Sequence, residues 1–318
     1  MKYLLRKILK IRETGVLAAL ALIIAVTAIF NHRFFSEMNL QILSRQIAVL
    51  GIIAIGETFV IITKGIDLSP GAMVAMTCVL VAWFMTHALG IVGAIIMILI
   101  VSAIVGMWHG FYVSKLGIPP FIITLCTFLI ARAVGSVIKK SGPINLPPSF
   151  SSFSYLWYGV VFRVPVPVLI LVMVAGISIF ILRYTPLGRH IYAVGGSIEA
   201  ARLSGINVDR TRIIVYTIST ILSGVAGILH AAWLNQGNVN VAQLYELYAI
   251  AATVIGGTSL FGGVGTVQGT IIGAAILRTI WNSMVLLKIS AYWQNVVLGG
   301  VIIAAVTIDT LRKRGERR

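Results

Sequence analysis

The sequence predicts an all-α polytopic membrane protein, a helical bundle of about ten transmembrane segments built as two related halves. Three observations carry that expectation. Apolar residues fill 58% of the 318 positions and charged residues 11%, with a mean hydropathy of +1.00, which leaves too little polar surface for a water-soluble domain. Apolar runs of spanning length recur along the whole chain. Basic residues gather on alternate connections between them.

In order, the runs fall at 15–31, 46–63, 68–87, 91–114, 118–138, 165–183, 212–233, 246–261, 266–285 and 291–309. Each is near the roughly 20 residues that cross a hydrocarbon core. The first does not read as a cleavable signal, because Val16–Phe30 continues into Asn31-His32-Arg33-Phe34 with no small-residue cleavage site. With both termini in the cytosol, that side collects Lys2, Arg6, Lys7, Lys10, Arg12, Lys64, Lys115, Arg183, Arg189, Arg202, Arg210, Arg212 and the basic cluster from Arg312. The outer side keeps Arg33, Arg45, Lys139, Lys140, Arg163 and Lys288. The net charge of +16 therefore reports topology, not a nucleic-acid footprint. Residues 1–318 read as one transmembrane domain surrounded by lipid. Cys78 and Cys126 lie in separate spans at no metal-like spacing, and both are expected to be small buried apolar residues.

Two polar intervals interrupt the pattern. Segment 139–163 carries Pro147-Pro148 and the aromatics Tyr155, Trp157 and Tyr158, which favour a membrane interface, so it is expected as an outer loop. Segment 184–212 is long, basic and punctuated by glycine, and is expected in the cytosol. Within it, Ser197 is placed to N-cap a short helix over 198–204, with Glu199 in the first turn and Gly205 as the stop. A short helix displayed this way is expected to dock a soluble partner.

Glycine is the second organising signal, with 31 residues. In spans, small residues allow close helix approach, and glycine-rich breaks unwind backbone where a cavity is lined. One break runs from Lys64 to Gly71 and includes Gly65, Asp67 and Ser69; the other is Gly256-Gly257-Thr258-Ser259-Leu260-Phe261-Gly262-Gly263-Val264-Gly265. Each follows an apolar stretch that begins near an acid, Glu57 or Glu246, an internal echo of the kind found in transporters built from two halves.

Enzyme chemistry finds no footing. The nine acids and five histidines show no ligand or acid–base spacing, and no Gly is followed by Lys, so no Walker-type phosphate loop exists. Charges within spans are costly and face a bundle interior or a wet path. Glu57 and Arg132 lie in spans, Glu246 begins one and Arg278 sits in another. With no second acid near it in sequence, Glu57 is expected in an ion pair or a helix-packing hydrogen bond. Asp67 is expected to cap the following helix through Ser69 and nearby backbone N–H groups. Glu57, Glu246 and Tyr248 are carried forward as candidate pathway residues.

Three segments together resemble one family. Gly65-Ile66-Asp67-Leu68-Ser69, the block from Gly188-Arg189 through Glu199-Ala200-Ala201-Arg202-Leu203-Ser204-Gly205-Ile206, and Ala251-Ala252-Thr253-Val254-Ile255-Gly256-Gly257-Thr258-Ser259-Leu260 with Gly262-Gly263-Val264-Gly265-Thr266 look like permease subunits of ATP-binding-cassette importers for ribose and related monosaccharides. The resemblance covers about 40–309. It implies a type II-like permease in the bacterial inner membrane, paired with a second copy or a related permease. It also implies two cytosolic ATPase subunits that hold the ATP and Mg, and a periplasmic or lipid-anchored binding protein that delivers sugar; the chain itself is expected to bind no cofactor. Carried over residue by residue, Glu199, Ala200, Ala201, Arg202 and Gly205 fall on the segment that couples the permease to its ATPase. Two positions depart from the family pattern: Tyr248 replaces an acid in Glu246-Leu247-Tyr248-Ala249-Ile250-Ala251-Ala252, and Pro70 replaces a small apolar residue. Within the same class, the cargo alternatives are a furanosyl autoinducer, a polyol or a branched-chain amino acid. The alternative from another class is an ion-coupled secondary carrier, which leaves the Ser197–Gly205 helix without a purpose.

Overall fold

The computed structural model describes residues 14–139 and 142–316; the basic N-terminal residues, Lys140 and the last two arginines lie outside them. The described helices are α1 (Thr14–Phe30), α2 (Glu37–Ile62), α3 (Pro70–Phe84), α4 (Gly90–Lys115), α5 (Pro120–Lys139), α6 (Tyr155–Tyr158), α7 (Val166–Tyr184), α8 (Pro186–Gly196), α9 (Ile198–Leu203), α10 (Val208–Leu234), α11 (Tyr245–Ile255), α12 (Val267–Leu286) and α13 (Ala291–Glu316). Eight of them, α3 extended by a π-helical turn, are long and apolar enough to cross a membrane, and α1 and α11 are shorter apolar helices. The all-α architecture follows the sequence expectation.

Helix α2 is apolar on every side and forms an axis of the bundle, buried from Ala48 to Thr63. Ser36 caps its start by accepting from Asn39 N. Around it pack α10, α11, α12 and α7. Lipid tails are as apolar as leucine, so packing rather than burial from water draws such helices together. Small residues supply that packing. A Cβ on Gly56 of α2 would sit 2.9 Å from Ser219 Cα of α10. Gly106 and Gly110, one helical turn apart on α4, press against the backbone of Thr217 and Ile213 of α10, and Gly227 of α10 presses against Thr77 of α3. Helix α10 is thereby wedged between α2, α3 and α4.

The run 246–261 does not form a span. Helix α11 has 11 residues, about 16 Å of helix, or half a membrane. The chain reaches it through an extended stretch, 235–244, that descends alongside α3: Gly237 packs on Val79 and Ala82, and Ala242 O lies against Gly71 at the other end of α3. Non-helical backbone at this depth survives only if protein groups satisfy it. Arg132 of α5 does so, donating from Nη1 to Val239 O (3.1 Å) and from Nη2 to Ala242 O (3.4 Å). Glu246, expected to begin a full span, and Tyr248 are therefore buried at the start of a half-helix.

Segment 139–163 is ordered over its described residues. β1 (Ile144–Asn145) pairs antiparallel with β4 (Gln236–Gly237), Ile144 opposite Gly237. β2 (Val160–Val161) and β3 (Val164–Pro165) form a tight hairpin whose central Phe162 and Arg163 both have positive φ. Trp157 stacks on Trp233 at 5.1 Å, and its carbonyl accepts from Arg45 Nε at 2.9 Å. Cys78 is buried, as expected, but Cys126 is exposed on α5, a helix with one face turned out of the described bundle. The interval before Ser197 also contains a helix, α8, which the sequence analysis did not anticipate, begun by Thr185 as N-cap and Pro186 in the first turn.

The packing generates a prediction. Gly110→Val brings a branched side chain onto the backbone of Ile213 and should lower stability by about 1–3 kcal/mol. Thermal melting in detergent should show a lowered midpoint for this variant and an unchanged one for Gly176→Val, where a Cβ meets open space.

Candidate functional site

The described residues concentrate their unusual chemistry at three places. The first is the junction formed by segment 184–212. Ser197 caps α9 by accepting from Ala200 N at 3.3 Å, with Glu199 in the first turn, and Gly205 follows with φ +79°. On α9, Ala201 is buried against Val194 and Val208, while Glu199, Ala200, Arg202 and Gly205 are exposed. Leu203 protrudes at 90% exposure. Sequence reasoning passed over Leu203; an apolar residue within a basic polar stretch is the signal that marks it. Asp209 pairs with Lys115 at 2.9 Å and with Arg202 at 3.7 Å, tying the segment to the end of α4.

The root of this segment rests on both glycine breaks. Gly195 packs so closely on Ile62 O and Gly263 that a side chain would collide with their backbone. Gly263 N donates to Ile62 O at 2.9 Å, and Lys64 Nζ donates to Gly196 O at 2.9 Å. Tyr192 donates to Gly265 O at 2.7 Å, and burial raises its phenol above the ordinary tyrosine range. Gly262 and Gly263 have φ near +80°, which an L side chain resists. Gly256 meets Gly269 backbone to backbone, Gly257 has φ +92°, and a Cβ on Gly265 would press on Thr258. Asp309 of α13 anchors the same loop by accepting from Ser259 Oγ (3.2 Å) and Leu260 N (3.1 Å).

The second place is a fully buried polar cluster. Asp67 Oδ1 accepts from Ser69 N at 2.9 Å and Ser69 Oγ at 2.6 Å, and Oδ2 accepts from Ser219 Oγ of α10 at 2.9 Å. Asp67 thus makes a local turn onto Ser69 instead of the expected cap, since no side-chain hydrogen bond caps α3, and Ser219 adds a link that sequence could not place. Glu57 Oε1 accepts from Asp67 N at 3.1 Å, and Leu68 N donates to Thr124 of α5 at 3.1 Å. Glu57 thus accepts a hydrogen bond from the break itself and not from a packed helix, and it pairs with no cation among the described residues; a second acid does lie beside it, because the break folds back so that Asp67 meets the helix wall ten residues earlier. Gly65 admits Tyr216, whose hydroxyl would collide with any side chain there.

The third place is where two half-elements meet. Gly71 at the start of α3 leaves room for the Glu246 carboxylate from the first turn of α11, an acid placed at a helix N-terminus. One face of α11 turns Tyr245 and Tyr248 toward α12. The Arg278 guanidinium lies 4.7 Å from the Tyr245 ring and 5.5 Å from the Tyr248 ring. Trp281 stands edge-on to Tyr248 at 5.3 Å, and His230 is 5.5 Å from Tyr245. The pathway candidates therefore divide: Glu57 joins Asp67, Glu246 joins Gly71, and Tyr248 joins Arg278.

This arrangement of broken helices around interior polar groups is that of a membrane permease. Residues 39–306 match the family model described as branched-chain amino acid transport system / permease component. The chain belongs to this permease family. It is 39% identical over 293 residues to the ribose import permease protein RbsC of Haemophilus influenzae, covering 92% of this chain and 91% of that one. It is 38% identical over 298 residues to RbsC of Bacillus subtilis, covering 94% and 92%. It is 31% identical over 362 residues to the xylose transport system permease protein XylH of Haemophilus influenzae, covering 94% and 96%. No solved structure matches it. The chain is a transporter membrane subunit, not an enzyme.

Ser219→Ala should remove one of three donors on the buried Asp67 carboxylate and cost about 1–3 kcal/mol. A melting series in detergent checks this: Ser219→Thr, which keeps a hydroxyl, should recover part of the loss.

Proposed function

We propose that the protein is the membrane-spanning subunit of an ATP-driven importer that carries a monosaccharide, a ribose-type pentose or related sugar, across the bacterial inner membrane. Cytosolic ATPase subunits hydrolyse ATP, a binding protein delivers the sugar, and two permease copies enclose the path with their termini in the cytosol. The names of the ribose and xylose relatives support the cargo class. The observation that carries the mechanism is the seat of α8, packed on both glycine breaks while α9 projects Glu199, Arg202 and Leu203 into solvent.

In this mechanism α9 occupies a cleft of the ATPase, with Leu203 filling its apolar floor. ATP binding draws the two ATPase subunits together and moves α9 with them. Because Lys64, Ile62, Gly263 and Gly265 grip α8, the displacement reaches α2 and α12 as well as the helices joined to the segment, α7 and α10. The breaks then bend where glycine permits, opening the path outward to the docked receptor. Hydrolysis reverses the motion.

Proteoliposomes holding this chain, its ATPase and its receptor test the proposal by uptake of radiolabelled pentoses and hexoses. Sugar should accumulate only with all three components and ATP. Uptake by the chain alone on an ion gradient would overturn the proposal. Glu199→Lys, Leu203→Asp and Gly205→Val should each cut uptake at least tenfold while leaving membrane insertion intact; normal transport by all three would remove α9 from the coupling role.

A further inference from the structure

We propose that the cavity between the end of α7, α8 and the start of α12 binds the headgroup of an anionic phospholipid. It encloses about 510 Å³, and Ile179, Leu182, Arg183, Tyr192, Val267 and Gln268 line it. Its position sets the depth. Helix α7 is a span that ends at Tyr184, and α8 begins two residues later, where the polar segment takes over. Ile179, Leu182 and Arg183 belong to the last two turns of that span, and Val267 and Gln268 open the first turn of α12. The cavity therefore lies where hydrocarbon gives way to headgroups. Exposed Phe180 and Tyr184, an aromatic pair 6.0 Å apart at the same end of α7, suit that level. Deeper in the span, α7 exposes Val172, Met173 and Ile177, a face for acyl chains.

The chemistry of the lining selects the ligand. Among the described residues Arg183 is the one charged side chain of the cavity, and no carboxylate pairs with it. Its guanidinium lies 5.6 Å from the centre of the Tyr184 ring. A cation–π contact makes no use of the in-plane donors, which suit the oxygens of a phosphate. The exposed Gln268 amide adds donors for phosphate or glycerol oxygens. Ile179, Leu182 and Val267 form an apolar wall for the glycerol backbone and the first acyl carbons. A free anion gains nothing from that wall, and a choline headgroup brings a second positive charge beside Arg183. Basic pockets between spans hold anionic headgroups in this way. Tyr192, whose hydroxyl holds Gly265 O at 2.7 Å, is the wall contributed by α8. A lipid seated here touches α7, α8 and α12 together and braces the helix that carries α9. Neither the cargo nor the ATPase of the reading above enters this inference, which needs only a chain that spans the membrane.

The full-length chain, purified in detergent and stripped of lipid, tests this with phosphatidylglycerol, phosphatidylcholine and inorganic phosphate as probes. Native mass spectrometry reads binding, and thermal melting reads its effect on the fold. Phosphatidylglycerol should bind saturably and about fivefold more tightly than phosphatidylcholine, and it should raise the melting midpoint, since a ligand of the folded state stabilises it. Arg183→Gln should reduce phosphatidylglycerol binding to the phosphatidylcholine level and cancel the rise. Arg189→Gln, at an exposed arginine of the same segment outside the lining, should leave both unchanged. Ile179→Trp fills the apolar wall and should also weaken phosphatidylglycerol binding; Arg183→Gln carries the test if this variant fails to fold. Equal binding of the two lipids, binding unchanged in Arg183→Gln or in a folded Ile179→Trp, or an equal loss in Arg189→Gln would overturn the inference. So would displacement of the lipid by inorganic phosphate, which marks a free-anion site. Loss of a dimer in place of lipid in Arg183→Gln would give the cavity to a second copy of the chain and overturn it as well.

Discussion

Backbone that leaves the helix inside a membrane must find every hydrogen bond within the protein, and much of this structure answers that requirement. At the first break the answer is local and acidic. Glu57 takes the N–H of Asp67, Thr124 takes that of Leu68, and Asp67 takes that of Ser69. Between α10 and α11 the answer is distant and basic: Arg132, on another helix, reaches the carbonyls of Val239 and Ala242. Two charged residues that look costly in a span thus stabilise chain that would not otherwise remain there. Because Glu57 comes from α2 and both Thr124 and Arg132 from α5, the irregular segments also tie those helices to the chain they support.

Glycine plays the complementary part. Along α4 and α10 it brings helices close enough for backbone to touch backbone, which is how a bundle coheres without a hydrophobic drive between helices. At Gly195, Gly262 and Gly263 it lets segment 184–212 sit against both breaks at once. A rigid seat and a flexible hinge are here the same residues, since the feature that permits contact, no side chain, also permits positive φ. Motion imposed on α8 therefore has a short mechanical route to α2 and α12, with no need for a relay through the apolar core.

The interior polar groups gather at separate places in the bundle. Around Asp67 both carboxylate oxygens are engaged by donors, while Glu57 Oε2 and the Tyr216 hydroxyl at the same break make no hydrogen bond. Around Arg278 the donors outnumber the acceptors and two of them face no partner. A buried group whose hydrogen bonds are complete holds a fold together.

The sequence by itself determined the class of molecule, the order of the apolar runs, and the short helix capped by Ser197 and stopped by Gly205. All of these depend on hydropathy or on contacts a few residues apart, which a linear pattern records. It did not reveal that 246–261 is half a span, because the apolar composition that crosses a membrane is the same that lines a bundle interior; the irregular chain before the helix is held by Arg132, more than a hundred residues away. It placed Glu246 at the start of a full span for the same reason, and it left Glu57 without a neighbouring acid because the turn that returns Asp67 to it is made by tertiary contacts. Leu203 and Arg278 were visible as letters, but their meaning, one exposed in water and one buried without a counter-ion, depends on what surrounds them. Only the folded chain decides that, since burial and pairing are properties of position in space, not of sequence.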